Sequence, residues 1–305
     1  MAIIRPRLND FHGLTFTQEE VSFAIPFLEE DIPLYLDPFL LWKSPSQQDN
    51  ALHADMIASF NSLGVRYGQD RSAAIDAVDE ISECDEVGLG TSKSKHGKRM
   101  GQAMAERLLK TFGEIPQLQT SGYTHLEEAQ LLVESFSKDR ISDIGCNLIK
   151  SHLIDYTIQK CNDYGIPTKE KDFRVFNRKA HVFEAERISV PVNPVSDTPI
   201  LLVPKRWLRY SPWLNLDDYF NNYLATSERI LKGQSVPRQE VLDFNRQNFD
   251  AVQTYVATKQ ADAAAARTTR YLHRFRCSPP RGSWIPSASC QRGPRTQPIA
   301  STRTH

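Results

Sequence analysis

The stretch that most narrows the fold is residues 142–164, where Ile144, Leu148, Ile149, Leu153, Tyr156 and Ile158 recur at helical spacing. Gly165 and Pro167 follow, residue types that end helices. A helix of that length with a broad apolar face must be covered by other elements, so it belongs at the centre of a packed unit. Similar spacing predicts helices over 47–63 and 70–83, with Gly64 as the stop between them, and over 100–111, 215–232 and 237–259. Thr124 and Glu127 stand at a capping-box spacing ahead of a helix over 124–136. Residues 32–42 are apolar but interrupted by Pro33 and Pro38, which predicts a buried extended connector or edge strand. Strands are expected at 182–190 and 199–203, joined by a turn region rich in Pro, Asn and Asp. The expected fold class is therefore α+β, mostly helical with a small β-sheet, followed by a disordered C-terminal tail.

Charge sets that tail apart. Residues 267–305 hold eight Arg and no Lys, Asp or Glu. The whole chain balances 37 basic against 37 acidic residues, so 1–266 bears a net −8. A helical globular module over 1–266 and a disordered basic tail over 267–305 follow from this division. With no acidic partner and no apolar period, the tail cannot offset about 1–2 kcal/mol per residue of backbone entropy. Nucleic-acid arms commonly mix Lys with Arg, and this one has Arg alone. Shifting the reading frame by one base permits a sequence with a Pro-rich hinge and an amphipathic helix. The tail therefore reads as out of frame, with a genuine basic arm as the rival.

No apolar run reaches the ~20 residues that a bilayer-crossing helix needs. The N-terminus has no apolar segment ending in small residues, so a secretory signal is not expected. Cys84, Cys146, Cys161, Cys277 and Cys290 are scattered and form no C-x-x-C pair. A reducing, cytoplasmic setting without structural zinc fits them.

The loop from Gly88 to Gly101 is the most unusual segment, with Lys93, Lys95, His96, Lys98 and Arg99 among its glycines. Glycines let backbone N–H groups converge and the cations would neutralise phosphate, so these five residues are candidates for phosphate or nucleic-acid binding. The loop departs from G-x-x-x-x-G-K-[ST] because Arg99 follows Lys98, and a solvated surface loop is the plainer reading.

Asp139 and Asp143, four apart in DRISDI, could share a metal ion with Glu186. More simply, Ser142 or Asp143 caps the helix that follows. No cofactor is expected unless this stand-alone enzyme reading holds, in which case it is a divalent metal. Glu184, Glu186 and Lys205 fail the acid-x-Lys spacing of PD-(D/E)XK nucleases, since Val203 stands where a carboxylate must hold the metal. His12, His53, His96, His125, His152 and His181 show no metal-ligand spacing, and Cys146 falls on an apolar helix face. Trp207, Tyr210, Trp213, Tyr219, Phe220 and Tyr223 interleave with Lys205, Arg206 and Arg209. Such a stretch could stack bases, although a packed junction is the commoner outcome.

GEIPQLQTSGYTHLEEAQLLVE, DRISDIGCNLIKSHLIDYTIQKCNDYGIP and TPILLVPKRWLR resemble the N-terminal region of bacterial proteins that carry a C-terminal restriction-endonuclease-like domain of the PD-(D/E)XK class. The resemblance covers most of 1–266 and stops at the odd tail. It implies that the nuclease core lies beyond this chain and that no nuclease residue maps onto it. The leading expectation is thus a non-catalytic recognition or regulatory module of a phage-defence protein, truncated by a frame-shift. The alternatives are a nucleic-acid or nucleotide-phosphate module using the Gly88–Gly101 loop, and the metal-dependent enzyme. No membrane partner is expected.

Overall fold

Ser46 and Asp70 start two successive helices by accepting backbone N–H bonds, from Asp49 at 3.2 Å and Ala73 at 3.0 Å. The computed structural model describes residues 5–91, 97–177, 180, 182–223 and 236–277, with side chains given except at 222–223 and 267–277. A short helix α1 (Leu8–His12) comes first, then strand β1 (Tyr35–Leu36) and a 3-10 turn over Pro38–Leu40. The segment 32–42 is the buried, Pro-interrupted connector its composition implied. Helices α2 (Gln47–Gln69), α3 (Arg71–Ile81) and α4 (Gln102–Glu114) follow, and α2 packs on both α3 and α4.

Gly64 does not stop α2 but lies inside it. A Cβ there would come within 2.4 Å of the Phe112 ring on α4, and that ring is itself held against Phe60 and Tyr123. The glycine is a packing device where two helices approach closely, so the end of the helix moves on to Asp70.

After α5 (Pro116–Ser121), the expected helix over 124–136 is a 3-10 turn, Leu126–Leu131. Glu128 rather than Glu127 closes its start, taking the N–H groups of His125 and Thr124 at 2.8 and 3.1 Å. The single helix expected over 142–164 is two: α6 (Lys138–Leu148) and α7 (Lys150–Tyr164), divided at Ile149. Ser137 caps α6. Ser142 and Asp143 are therefore interior residues and not caps. Ser142 instead turns its hydroxyl to β1, accepting the Leu36 N–H at 3.0 Å.

The principal β element is an antiparallel hairpin of β2 (Lys169–Asn177) and β3 (Val182–Val190), in register from Lys169↔Val190 to Asn177↔Val182. Its first strand went unread in the sequence. Of the strand expected over 199–203, residues 200–203 are buried but form no strand, and isolated bridges on either side pair Pro199 with Val192 and Pro204 with Phe23. Strand β4 (Leu208–Arg209) pairs antiparallel with β1. Beyond it lie α8 (Leu216–Asp218), a π turn over Tyr219–Tyr223, α9 (Arg238–Gln247) and α10 (Phe249–Cys277). The part of the expected 215–232 helix over 224–232 lies outside the described residues.

The observed class is α+β, mostly helical. One part of the core gathers Leu8, Phe23, Ile25, Cys161, Ile200 and Leu202. Leu153 and Ile144, on α7 and α6, are wholly buried. The chain divides into two units after Gln260. In the second, the described residues are the continuing helix to Cys277, so helical structure runs past the 266 boundary. The tail beyond Cys277 lies outside the described residues.

Candidate nucleic-acid interface

Four segments distant in sequence meet at one aromatic and basic face. Strand β4 supplies Arg209, and the turn after it supplies Tyr210 and Trp213. The start of α6 supplies Lys138, α10 supplies Lys259, and the connector after β1 supplies Trp42 and Lys43. Lys138 Nζ lies 4.5 Å from the Tyr35 ring centre and 4.9 Å from that of Tyr210, and it donates to the Tyr210 carbonyl at 3.1 Å. Tyr210 is 69% exposed. Trp213 has two cations over its ring, the Arg209 guanidinium at 4.8 Å and Lys259 Nζ at 5.1 Å. Lys43 lies 4.6 Å from the Trp42 ring. A cation over an aromatic face is attracted by the ring quadrupole; Arg209 and Lys259 also lie near carboxylates, Asp37 at 3.8 Å and Asp218 at 3.1 Å.

The face is anchored from beneath. Trp213 donates its backbone N–H to Asp37 Oδ2 at 2.9 Å and its indole N–H to the Lys259 carbonyl at 3.2 Å. The Phe39 and Trp213 rings stack with centres 6.4 Å apart. Asp37 is wholly buried and faces Glu127, with Arg209 Nε 3.8 Å from its Oδ2. The Phe39 N–H donates to both carboxyls, at 3.2 Å to Asp37 and 2.8 Å to Glu127. Burial raises both acids, Asp37 to about 6 and Glu127 well above the carboxylate range, where the neighbouring Asp37 charge raises it further. At neutral pH the pair thus shares about one proton between its two carboxyls.

Of the aromatic stretch noted in the sequence, Trp207 and Tyr219 are core residues, Tyr210 is exposed and Trp213 is half-buried. Asp37, Lys138 and Lys259 were missed. An Asp ahead of Pro38 in an apolar run was the one available signal for the first. The two lysines carried none.

The other sequence candidates assemble elsewhere. Lys93, Lys95 and His96 lie outside the described residues. Lys98 and Arg99 are exposed, and both carbonyls accept from Arg140 of α6, Arg99 at 3.5 Å. Arg99 is at the edge of a cleft of about 410 Å³ whose charged walls include Glu80, Glu83, Asp85, Glu86 and Asp172. The cations here sit on carboxylates: Arg174 on Glu80 at 2.6 Å, Lys150 on Glu86 at 3.0 Å, Arg140 on Glu83 at 3.7 Å. Desolvation, then the charge of Asp85, pushes Glu83 up to about 7. Such a cleft repels phosphate, which counts against the loop as an anion site.

Asp139, Asp143 and Glu186 do not converge. Asp139 is exposed at the start of α6, and Gly90, at φ 130°, lets the chain pass where a Cβ would come 2.8 Å from its Oδ1. Asp143 is buried inside α6, and burial raises it well above the usual range. Glu186 is exposed on β3 opposite Phe173. Among the described residues no group of three or more His, Cys, Asp or Glu side chains is placed to hold a metal ion. His53 and His125 do meet, Nε2 to Nδ1 at 3.2 Å, with Gln260 2.9 Å from the other nitrogen of His125. Burial lowers both, His53 to about 4. Cys146 is a buried thiol, and no helix among the described residues is long and apolar enough to cross a membrane.

No curated protein and no solved structure matches the chain. A family model described as a domain of unknown function, DUF8370, matches residues 13–215, about two thirds of the 305 residues. The matched span holds Asp37, Glu127, Lys138, Arg209, Tyr210 and Trp213, all of the interface except its α10 lysine, and the chain belongs to that DUF8370 family.

Proposed function

We propose that the chain is a recognition module that binds single-stranded nucleic acid across the face of Lys138, Arg209, Tyr210, Trp213 and Lys259. The supporting observation is an exposed tyrosine beside a tryptophan, each ring flanked by a cation. Bases stack on aromatic rings whatever their sequence, while nearby cations follow the backbone. Residues 1–266 bear a net −8, so attraction of phosphate must come from a local patch. Resemblance to the N-terminal region of restriction-endonuclease-like proteins supports a setting in defence against foreign DNA, with cutting left to a separate domain. The three buried free thiols, Cys84, Cys146 and Cys161, fit a reducing cytoplasm.

The test is the affinity for a labelled oligothymidylate across a range of salt concentrations, followed by anisotropy and tryptophan fluorescence. Affinity should fall with salt at a log–log slope of about −0.7 for each phosphate contacted, and fluorescence should be quenched as bases stack. Binding without salt dependence, or none at low salt, overturns the reading.

A further inference from the structure

Asp37 touches the two parts of the face that matter most, the Trp213 backbone at 2.9 Å and the Arg209 side chain at 3.8 Å, and it does so from a fully buried position. We propose that Asp37 is the positioning residue of this face, and that proton uptake by the Asp37–Glu127 pair strengthens the hold on nucleic acid. The inference rests on the nucleic-acid reading and deepens it by adding regulation by pH.

With Asp37 ionised, part of the Arg209 charge is spent on a buried carboxylate. When the pair takes a second proton from solvent, Asp37 becomes neutral. Its carbonyl oxygen still accepts the Trp213 N–H, so the ring stays in place. Arg209 then has its full charge for phosphate. Geometry is kept, the local potential rises by one charge, and binding tightens.

The other charged groups facing this pair and its ring are few. Lys259 lies over Trp213 and bridges to Asp218 at 3.1 Å. His125 packs on Phe39 with His53 behind it, and burial keeps both histidines neutral through the window around pH 6. Glu128, adjacent in the chain, is raised to about 7 by burial, but its carboxylate is committed to the His125 and Thr124 N–H groups.

The experiment is oligothymidylate affinity from pH 7.5 to 5.0 at constant ionic strength. The natural chain should tighten by about fivefold, the order of a single charge change at contact in a well-solvated site, with its midpoint near 6. Asp37→Asn with Glu127→Gln should bind at the acid-limit affinity throughout and show no step. Glu128→Gln should keep the step. If the double variant does not fold, as judged by near-ultraviolet circular dichroism, Asp37→Asn alone supplies the second measure and should likewise show no step. A step that persists in the double variant or in Asp37→Asn overturns the inference, as does a natural chain whose salt-dependent binding shows no step. Loss of salt-dependent binding at fixed pH overturns the nucleic-acid reading instead, so the two failures are distinct.

Discussion

The aromatic face and the acid-lined cleft place the same cationic residue types differently. On the face, Lys138, Arg209 and Lys259 lie over rings, and Arg209 and Lys259 also reach the carboxylates of Asp37 at 3.8 Å and Asp218 at 3.1 Å. In the cleft, Arg174, Lys150 and Arg140 lie on carboxylates, Arg174 also 5.3 Å from the Phe183 ring. A ring orients a cation and leaves its charge available, whereas a carboxylate draws on it. Counting lysines and arginines therefore says little about where an anion binds. What each cation rests on decides it, and that is a property of the fold.

Helix α6 carries Lys138 of the face, and α6 and α7 carry Asn147 and Lys150 of the cleft, so the largest effect is expected from disrupting that scaffold. Leu153→Ala, at a wholly buried site, should cost about 2–5 kcal/mol in urea unfolding. A cost under about 0.5 kcal/mol would show that α7 does not organise the unit. Next comes the contrast itself. Tyr210→Ala should weaken oligothymidylate binding by about 1–3 kcal/mol, the usual worth of one stacked base. Lys98→Ala with Arg99→Ala should change it less than about twofold, because both lie outside the Tyr210–Trp213 face and Arg99 sits 4.0 Å from Asp79. The reverse ranking would move the binding surface to the Gly88–Gly101 loop.

The smallest effect is in the pH dependence of stability. Glu83 is raised to about 7, so in the folded chain it keeps its proton to higher pH than in the unfolded chain. The stability this confers is fully present below the ordinary carboxylate range and is lost as pH rises through about 7. The melting temperature should therefore fall between pH 5 and 8, and Glu83→Gln should make that fall shallower. An unchanged slope would mean that Glu83 is as well solvated as an exposed acid.

Much of the helical frame was legible in the sequence because apolar residues keep the helical period, as at Ala105, Leu108, Leu109 and Phe112 on α4. The break at Ile149 was not, because an apolar residue at a helix junction keeps the same period as one inside a helix. Strand β2 was hidden by its charges: in KEKDFRVFN only Phe173, Val175 and Phe176 are buried. Gly64 was misread because a glycine that admits a neighbouring ring looks, in one dimension, like one that ends a helix. For the interface, the run from Trp207 to Tyr223 was visible but not its division into core and surface. Asp37 and Glu127 are 90 positions apart, and nothing local marks them as a pair.

The pairing of Tyr35–Leu36 with Leu208–Arg209 has a consequence for synthesis. A ribosome adding about 5–20 residues per second takes roughly 10–30 s to travel from Leu36 to Leu208. Throughout that interval β1 has no strand partner, and Asp37 has neither Arg209 nor the Trp213 N–H. The buried acid is thus translated long before the groups that satisfy it, and the recognition face closes among the last events in making the matched region. A nascent chain stalled before residue 208 would hold Tyr35 and Leu36 as a short strand edge without its partner.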